Sequence, residues 1–183
     1  MPIDFNSHIY FVNNNRPFLQ NVVNSNYIAK QPLKDTFVKS IQDNSIKIEK
    51  KTFGKIEKTN QTAELYTITN KNGASVSLSS FGAAITSIKV PDKNGKLTDV
   101  TQGYNSVTPY EKSPVGHAGG TIGPCANKIN NGTFKLGEKE YKLDCNKDKG
   151  KTHCHGGKEG LDVKNWNAQI LKDGVKFTYT KKD

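Results

Sequence analysis

Tight-turn signals constrain this chain more than any other feature. Asn72-Gly73, Asn94-Gly95, Gly137-Glu138-Lys139 and Asp173-Gly174 each separate two short segments of apolar or alternating character. Asn-Gly and Asp-Gly pairs adopt the positive-φ turns whose twist matches a β-hairpin. The flanking segments read as strands: Leu65 to Thr69 into Ser75 to Leu78, Ala83 to Val90 into Thr98 to Val100, Thr133 to Leu136 into Tyr141 to Leu143, and Trp166 to Leu171 into Val175 to Tyr179. A two-residue turn returns the chain antiparallel, whereas parallel strands need a crossover of a dozen residues or more. No helical pattern alternates with these strands, so an α/β fold is excluded. The expected class is all-β, an antiparallel β-sandwich. No internal repeat is visible.

Residues 1–45 differ in character from the rest of the chain. Met1 to Lys30 is rich in asparagine, with short apolar groups such as Ile9-Tyr10-Phe11-Val12. After Pro32, Leu33, Phe37 and Ile41 recur at i, i+4 and i+8, placing them on one face of a short amphipathic helix that Pro32 would open. The expected organisation is an N-terminal extension over 1–45, carrying that helix, followed by the sandwich over 46–183.

Composition excludes several classes. No apolar run approaches the roughly 20 residues a spanning helix needs, and Asp4 with Asn13 to Asn15 breaks any signal-peptide pattern. A soluble, cytoplasmic protein without a membrane partner is expected. The formal net charge is +10. Arg16 is the single arginine, the lysines are scattered, and no nucleic-acid module signature appears. The cations therefore read as solvated lysine surface, with no nucleic-acid partner. Three cysteines, Cys125, Cys145 and Cys154, make an odd set without a secretory signal and read as free thiols.

The segment from Gly119 to Trp166 carries the motifs. Gly119-Gly120-Thr121-Ile122-Gly123 is not a phosphate loop, because no Lys-Ser/Thr follows at the required spacing. His153-Cys154-His155 supplies zinc-ligand types, but neighbours in a strand alternate faces and no Cys-x₂-Cys pair exists, so no metal is expected. Trp166 reads as a core anchor. Taken alone, Asn127 and Lys128 fit a turn into Ile129-Asn130-Asn131-Gly132, and His155 fits a histidine held by backbone bonds in the Gly-rich turn His155-Gly156-Gly157.

From Phe53 onward the chain resembles the N-terminal portion of the aldose 1-epimerase (galactose mutarotase) family. The resemblance rests on Gly119 to Ile129, Asn131 to Phe134, His155-Gly156-Gly157, Gly160-Leu161-Asp162, Phe81-Gly82-Ala83 leading into Ile88, Pro91 to Gly95, and Asp99-Val100 followed by Gly103-Tyr104. It implies a mutarotase-like supersandwich that holds a hexose such as galactose or glucose in its pyranose form, without a cofactor. It further implies substrate-binding roles for Asn127, Lys128 and His155, with His155 as an auxiliary group near the anomeric centre. Those residue types suit sugar binding. Asparagine both donates and accepts, a cation supplies charge-assisted bonds, and imidazole donates or accepts near neutral pH.

The implied activity is interconversion of α- and β-anomers. A base takes the anomeric hydroxyl proton while an acid protonates the ring oxygen, and the ring opens, rotates and closes. In the family the principal acid is a second histidine and the base a glutamate, both downstream of Asp183, so a truncated sandwich with an incomplete catalytic set is expected. Lys128 stands where the family usually has arginine, and Pro124 where many members have another. A point charge cannot reproduce a planar fork, so looser hydroxyl binding is expected. His117-Ala118 replaces a more usual aromatic-containing approach. The alternative reading is a non-catalytic carbohydrate-binding or scaffold protein, whose exposed sheet edges pair with a protein partner or a second copy.

Overall fold

The computed structural model describes residues 5–12, 46–112 and 117–181. The helix expected around Leu33, Phe37 and Ile41 lies outside the described residues. Strands dominate the rest, and every pairing between them is antiparallel.

One sheet is a five-stranded meander, with spatial order following chain order: β2 (Lys47–Lys55), β3 (Thr62–Thr69), β4 (Ser75–Ser79), β5 (Ala84–Pro91) and β6 (Leu97–Asp99). The turns at Asn72-Gly73 and Asn94-Gly95 join β3 to β4 and β5 to β6, as the sequence predicts. Only the glycine of each has positive φ, however, and the loops close at Asn70–Ala74 and Asp92–Lys96, so they are longer than two-residue turns. The Asn70 side chain accepts the Asn72 and Ala74 N–H groups, and the Asp92 side chain accepts those of Asn94 and Lys96. Each loop is thereby closed by an Asx-type bond as well as by its glycine.

A second sheet has the order β1–β12–β11, from β1 (Phe5–Val12), β12 (Gly174–Lys181) and β11 (Asn167–Ile170). Strand β1 comes from the segment expected to be an extension, and it pairs with β12 along its length, from Phe5↔Lys181 to Val12↔Gly174.

The core follows from strand parity. Side chains alternate between faces, so β3 presents Tyr66 and Ile68 to one side and Ala63 and Leu65 to the other. On the first side Tyr66, Ile68 and Leu78 pack with Trp166, Val175 and Phe177, fastening the meander to the second sheet. Phe177 meets the Tyr66 ring edge-on at 5.7 Å. Trp166 is the anchor the sequence predicts: it is buried, and its Nε1–H donates to the Leu161 carbonyl at 2.9 Å. Burial of each such side chain contributes roughly 1.5–3 kcal/mol. On the opposite side Ala63 and Leu65 join Phe53, Ile56, Phe81 and Val107 in a smaller cluster. The molecule is thus an antiparallel β-sandwich with little helix.

Val107 belongs to α1 (Val107–Lys112), the single α-helix among the described residues. It is tied to the loop after β2 by the Glu111 carboxylate, which accepts the Glu57 and Lys58 N–H groups at 2.9 and 3.2 Å. Short strand pieces between residues 128 and 154 surround the candidate site.

Candidate functional site

The segment from His117 to Trp166 holds its shape through backbone bonds to its surroundings. Ile85 N–H donates to Gly119 O, Thr121 N–H to Gly82 O, Leu161 N–H to Gly123 O, and Gly82 N–H to Lys164 O. The approach is close enough to dictate glycine. A Cβ on Gly119, which has φ +60°, would stand 2.0 Å from the Ile85 oxygen, and one on Gly156 (φ +87°) 2.0 Å from the Gly123 oxygen. Both contacts lie far inside van der Waals distance, and both backbones are left-handed.

Within this frame β7 (Lys128–Asn130) pairs with β10 (Thr152–Cys154) in the register Lys128↔Cys154, Ile129↔His153 and Asn130↔Thr152. A hairpin of β8 (Thr133–Leu136) and β9 (Lys139–Lys142) projects beyond it, with Phe134 stacked on Tyr141. Asn146 serves as a surrogate strand edge for β10: its side-chain oxygen accepts Cys154 N–H at 2.8 Å, and its amide donates to Cys154 O at 3.0 Å.

Asn127 and His155 are the residues just past the end of the β7–β10 ladder, and the structure brings them together. His155 N–H donates to Asn127 O, and Asn127 N–H donates to His155 Nδ1, both at 3.0 Å. Both residues have positive φ, 63° and 53°, which Asn and His tolerate better than most side chains. Because Nδ1 accepts, the neutral imidazole of His155 carries its proton on Nε2 and presents a donor there.

Lys128 is adjacent in sequence but differently engaged. Its Nζ lies 3.5 Å from Asp148 Oδ2, and both side chains are more than half exposed. The Asp148 carboxyl is held below the usual carboxylate range by the Thr152 hydroxyl first and by Lys128 second.

A second histidine stands beside His155. The His117 and His155 rings meet nearly edge-to-face, with centroids 4.8 Å apart. His117 Nδ1 lies 2.6 Å from Asp162 Oδ2, whose side chain is only 6% exposed. A carboxylate oxygen accepts, so Nδ1–H donates and the neutral ring presents a lone pair at Nε2. One imidazole is therefore set as a donor and its neighbour as an acceptor. Ala84, Tyr110, Ala118 and Gly120 line the open depression on the His117–Asp162 side. Burial pushes the Tyr110 phenol up, and its oxygen accepts Tyr104 N–H at 3.0 Å.

Asp162 lies within the motif block and His117 just ahead of it, yet the sequence assigns neither a role. Asp162 lies 45 residues from His117, and no local period connects them. The one signal is chemical: His117-Ala118 leads into the glycine cluster where the resemblance implies an aromatic-containing approach.

Among the described residues, no group of three or more His, Cys, Asp or Glu side chains is placed to hold a metal ion. No helix there is long and apolar enough to cross a membrane.

Comparisons with known proteins agree with this architecture. The family described as aldose 1-epimerase matches residues 64–183. Galactose mutarotase from Bos taurus is 38% identical over 109 residues, covering 59% of this chain and 31% of the bovine protein. The Mus musculus galactose mutarotase is 33% identical over 133 residues, 72% of this chain and 37% of the mouse protein. Among solved structures, galactose 1-epimerase from Lactobacillus acidophilus NCFM shares the fold with a TM-score of 0.55 at 24% identity, covering 70% of this chain and 36% of that one. The chain spans about a third of the length of these curated relatives. With more than half its residues inside the family match, the chain belongs to the aldose 1-epimerase family.

Proposed function

We propose that the chain holds a hexose at the end of the β7–β10 ladder and contributes to interconversion of its anomers. The observation that carries the reading is the paired imidazoles. His155 offers a proton from Nε2, and His117, held by Asp162, offers a lone pair from Nε2. Anomer interconversion requires a donor for the ring oxygen and an acceptor for the anomeric hydroxyl, each contributing on the order of 10²–10⁴-fold. Asn127 and Lys128 are the proposed hydroxyl contacts, with Lys128 exchanging Asp148 for the sugar. The galactose mutarotases among the relatives favour galactose as the first substrate to test. Because the matched part covers only about a third of those relatives, the proposal for this chain covers the sugar-holding step and this donor–acceptor pair.

NMR titration of the chain with D-galactose and D-glucose tests the reading. Saturable shifts are expected, with Asn127→Ala or His155→Ala weakening binding about tenfold, near 1.4 kcal/mol. Polarimetry of freshly dissolved α-D-galactose adds the chemical step, where His117→Phe should slow any acceleration more than it weakens binding. Absence of saturable binding by either sugar overturns the reading.

A further inference from the structure

We propose that Cys125 is a modification site for soft carbon electrophiles, with His153 as its proton carrier. His153 is buried, at 3% exposure. Its Nδ1 lies 2.6 Å from the Asp144 carbonyl oxygen. That oxygen can only accept, so Nδ1 bears the proton and Nε2 of the neutral ring carries a lone pair. Nε2 lies 3.3 Å from Cys125 Sγ, within the range of an S–H···N hydrogen bond. The β7–β10 pairing fixes the ring from one side, through the register His153↔Ile129. The thiol is therefore paired with a base whose tautomer and direction are set by the backbone.

The other thiols are placed differently. Cys154 is buried, while Cys145 is half-buried like Cys125. Among the described residues, neither sulfur is hydrogen-bonded to an imidazole. A thiolate, not a thiol, is the nucleophile, and an adjacent base generates it at the moment of attack.

With an α,β-unsaturated carbonyl compound the step balances without an oxidant or a leaving group. The Cys125 proton passes to His153 Nε2, and the sulfur pair forms a bond to the β-carbon. The C=C π pair moves to the α-carbon, which takes the proton back from Nε2. While protonated, the imidazolium faces Asp144 Oδ1, 3.6 Å from Nδ1. The adduct would stand two residues before Asn127 in the chain.

The test is limited labelling of the full chain with N-ethylmaleimide, with peptide mapping at all three cysteines. Cys125 should react at least about tenfold faster than Cys145, and His153→Gln should remove most of that advantage while leaving the Cys145 rate unchanged. Equal rates at Cys125 and Cys145 in the unsubstituted chain overturn the proposal, and so does a His153→Gln chain with an undiminished Cys125 rate. If the substitution also accelerates Cys145, the fold has loosened, and the comparison within the unsubstituted chain decides.

Discussion

The five-stranded meander and the segment from His117 to Trp166 are stabilised in opposite ways. In the meander, neighbours in sequence are neighbours in space, and apolar side chains alternate into two clusters. In the motif segment the strands are three or four residues long, and much of the order comes from long-range backbone bonds, left-handed residues and side chains acting as backbone partners. One region devotes its sequence to burial, and the other to placing polar groups at an opening. The difference predicts that volume controls the first and backbone shape the second.

The strongest challenge to this contrast is Leu78→Ala, which empties a fully buried site of the larger cluster. A loss of about 2–5 kcal/mol is expected. Denaturant titration checks it, and a loss below about 1 kcal/mol would show that the meander is not governed by burial.

Gly156→Ala should cost about 3 kcal/mol with almost no change in apolar area, through the Gly123 contact and a strained φ. Hydrogen exchange should quicken across 119–165 more than across β3 and β4. Uniform quickening would erase the distinction between the regions.

Asp162→Ala leaves His117 Nδ1–H without its acceptor in a partly buried place, for an expected loss of about 1–3 kcal/mol. The hydrogen-bonded Nδ1 proton should disappear from the downfield NMR spectrum. Its persistence would mean that another group orients the ring.

The smallest effect expected is electrostatic and lies in the meander. The Asp99 carboxyl is held at about 2, first by the Ser87 hydroxyl and then by the Thr101 hydroxyl. Ser87 and Thr101 donate at 2.6 and 2.7 Å. A carboxylate depressed in the folded state stabilises above its unfolded value, near 3.9, and that stabilisation is lost as pH falls through about 2. Asp99→Asn should therefore flatten the fall in Tm between about pH 5 and pH 2. An unchanged slope would discount the Ser87 and Thr101 bonds.

Legibility in the sequence divides along the same line. The turns at Asn72-Gly73, Asn94-Gly95 and Asp173-Gly174 announce β3 to β6, β11 and β12, because hairpin chemistry is local. Strand β2 is not announced, since Lys47, Lys50, Lys51 and Lys55 obscure any alternation in an exposed edge strand. Such lysines also discourage edge-to-edge association. Strand β1 is hidden because what makes it a strand is β12, at the far end of the chain. At the site, Asn127, Lys128 and His155 stand out through their motif, and their sugar contacts remain a proposal. The His117–Asp162 pair depends on folding to join two distant positions, which pattern alone cannot anticipate.

The pairing of β1 with β12 sets an order of events. Every meander hairpin closes a short loop, but Phe5↔Lys181 closes nearly the whole chain for its first hydrogen bonds. Closure entropy rises with loop length, and non-local pairings slow folding. On a ribosome the meander can assemble while β12 is still being made, whereas β1 must wait. Phe5–Val12 therefore acts as a latch that engages after the meander, and pulse-labelled amides there should gain protection after those of β3 and β4.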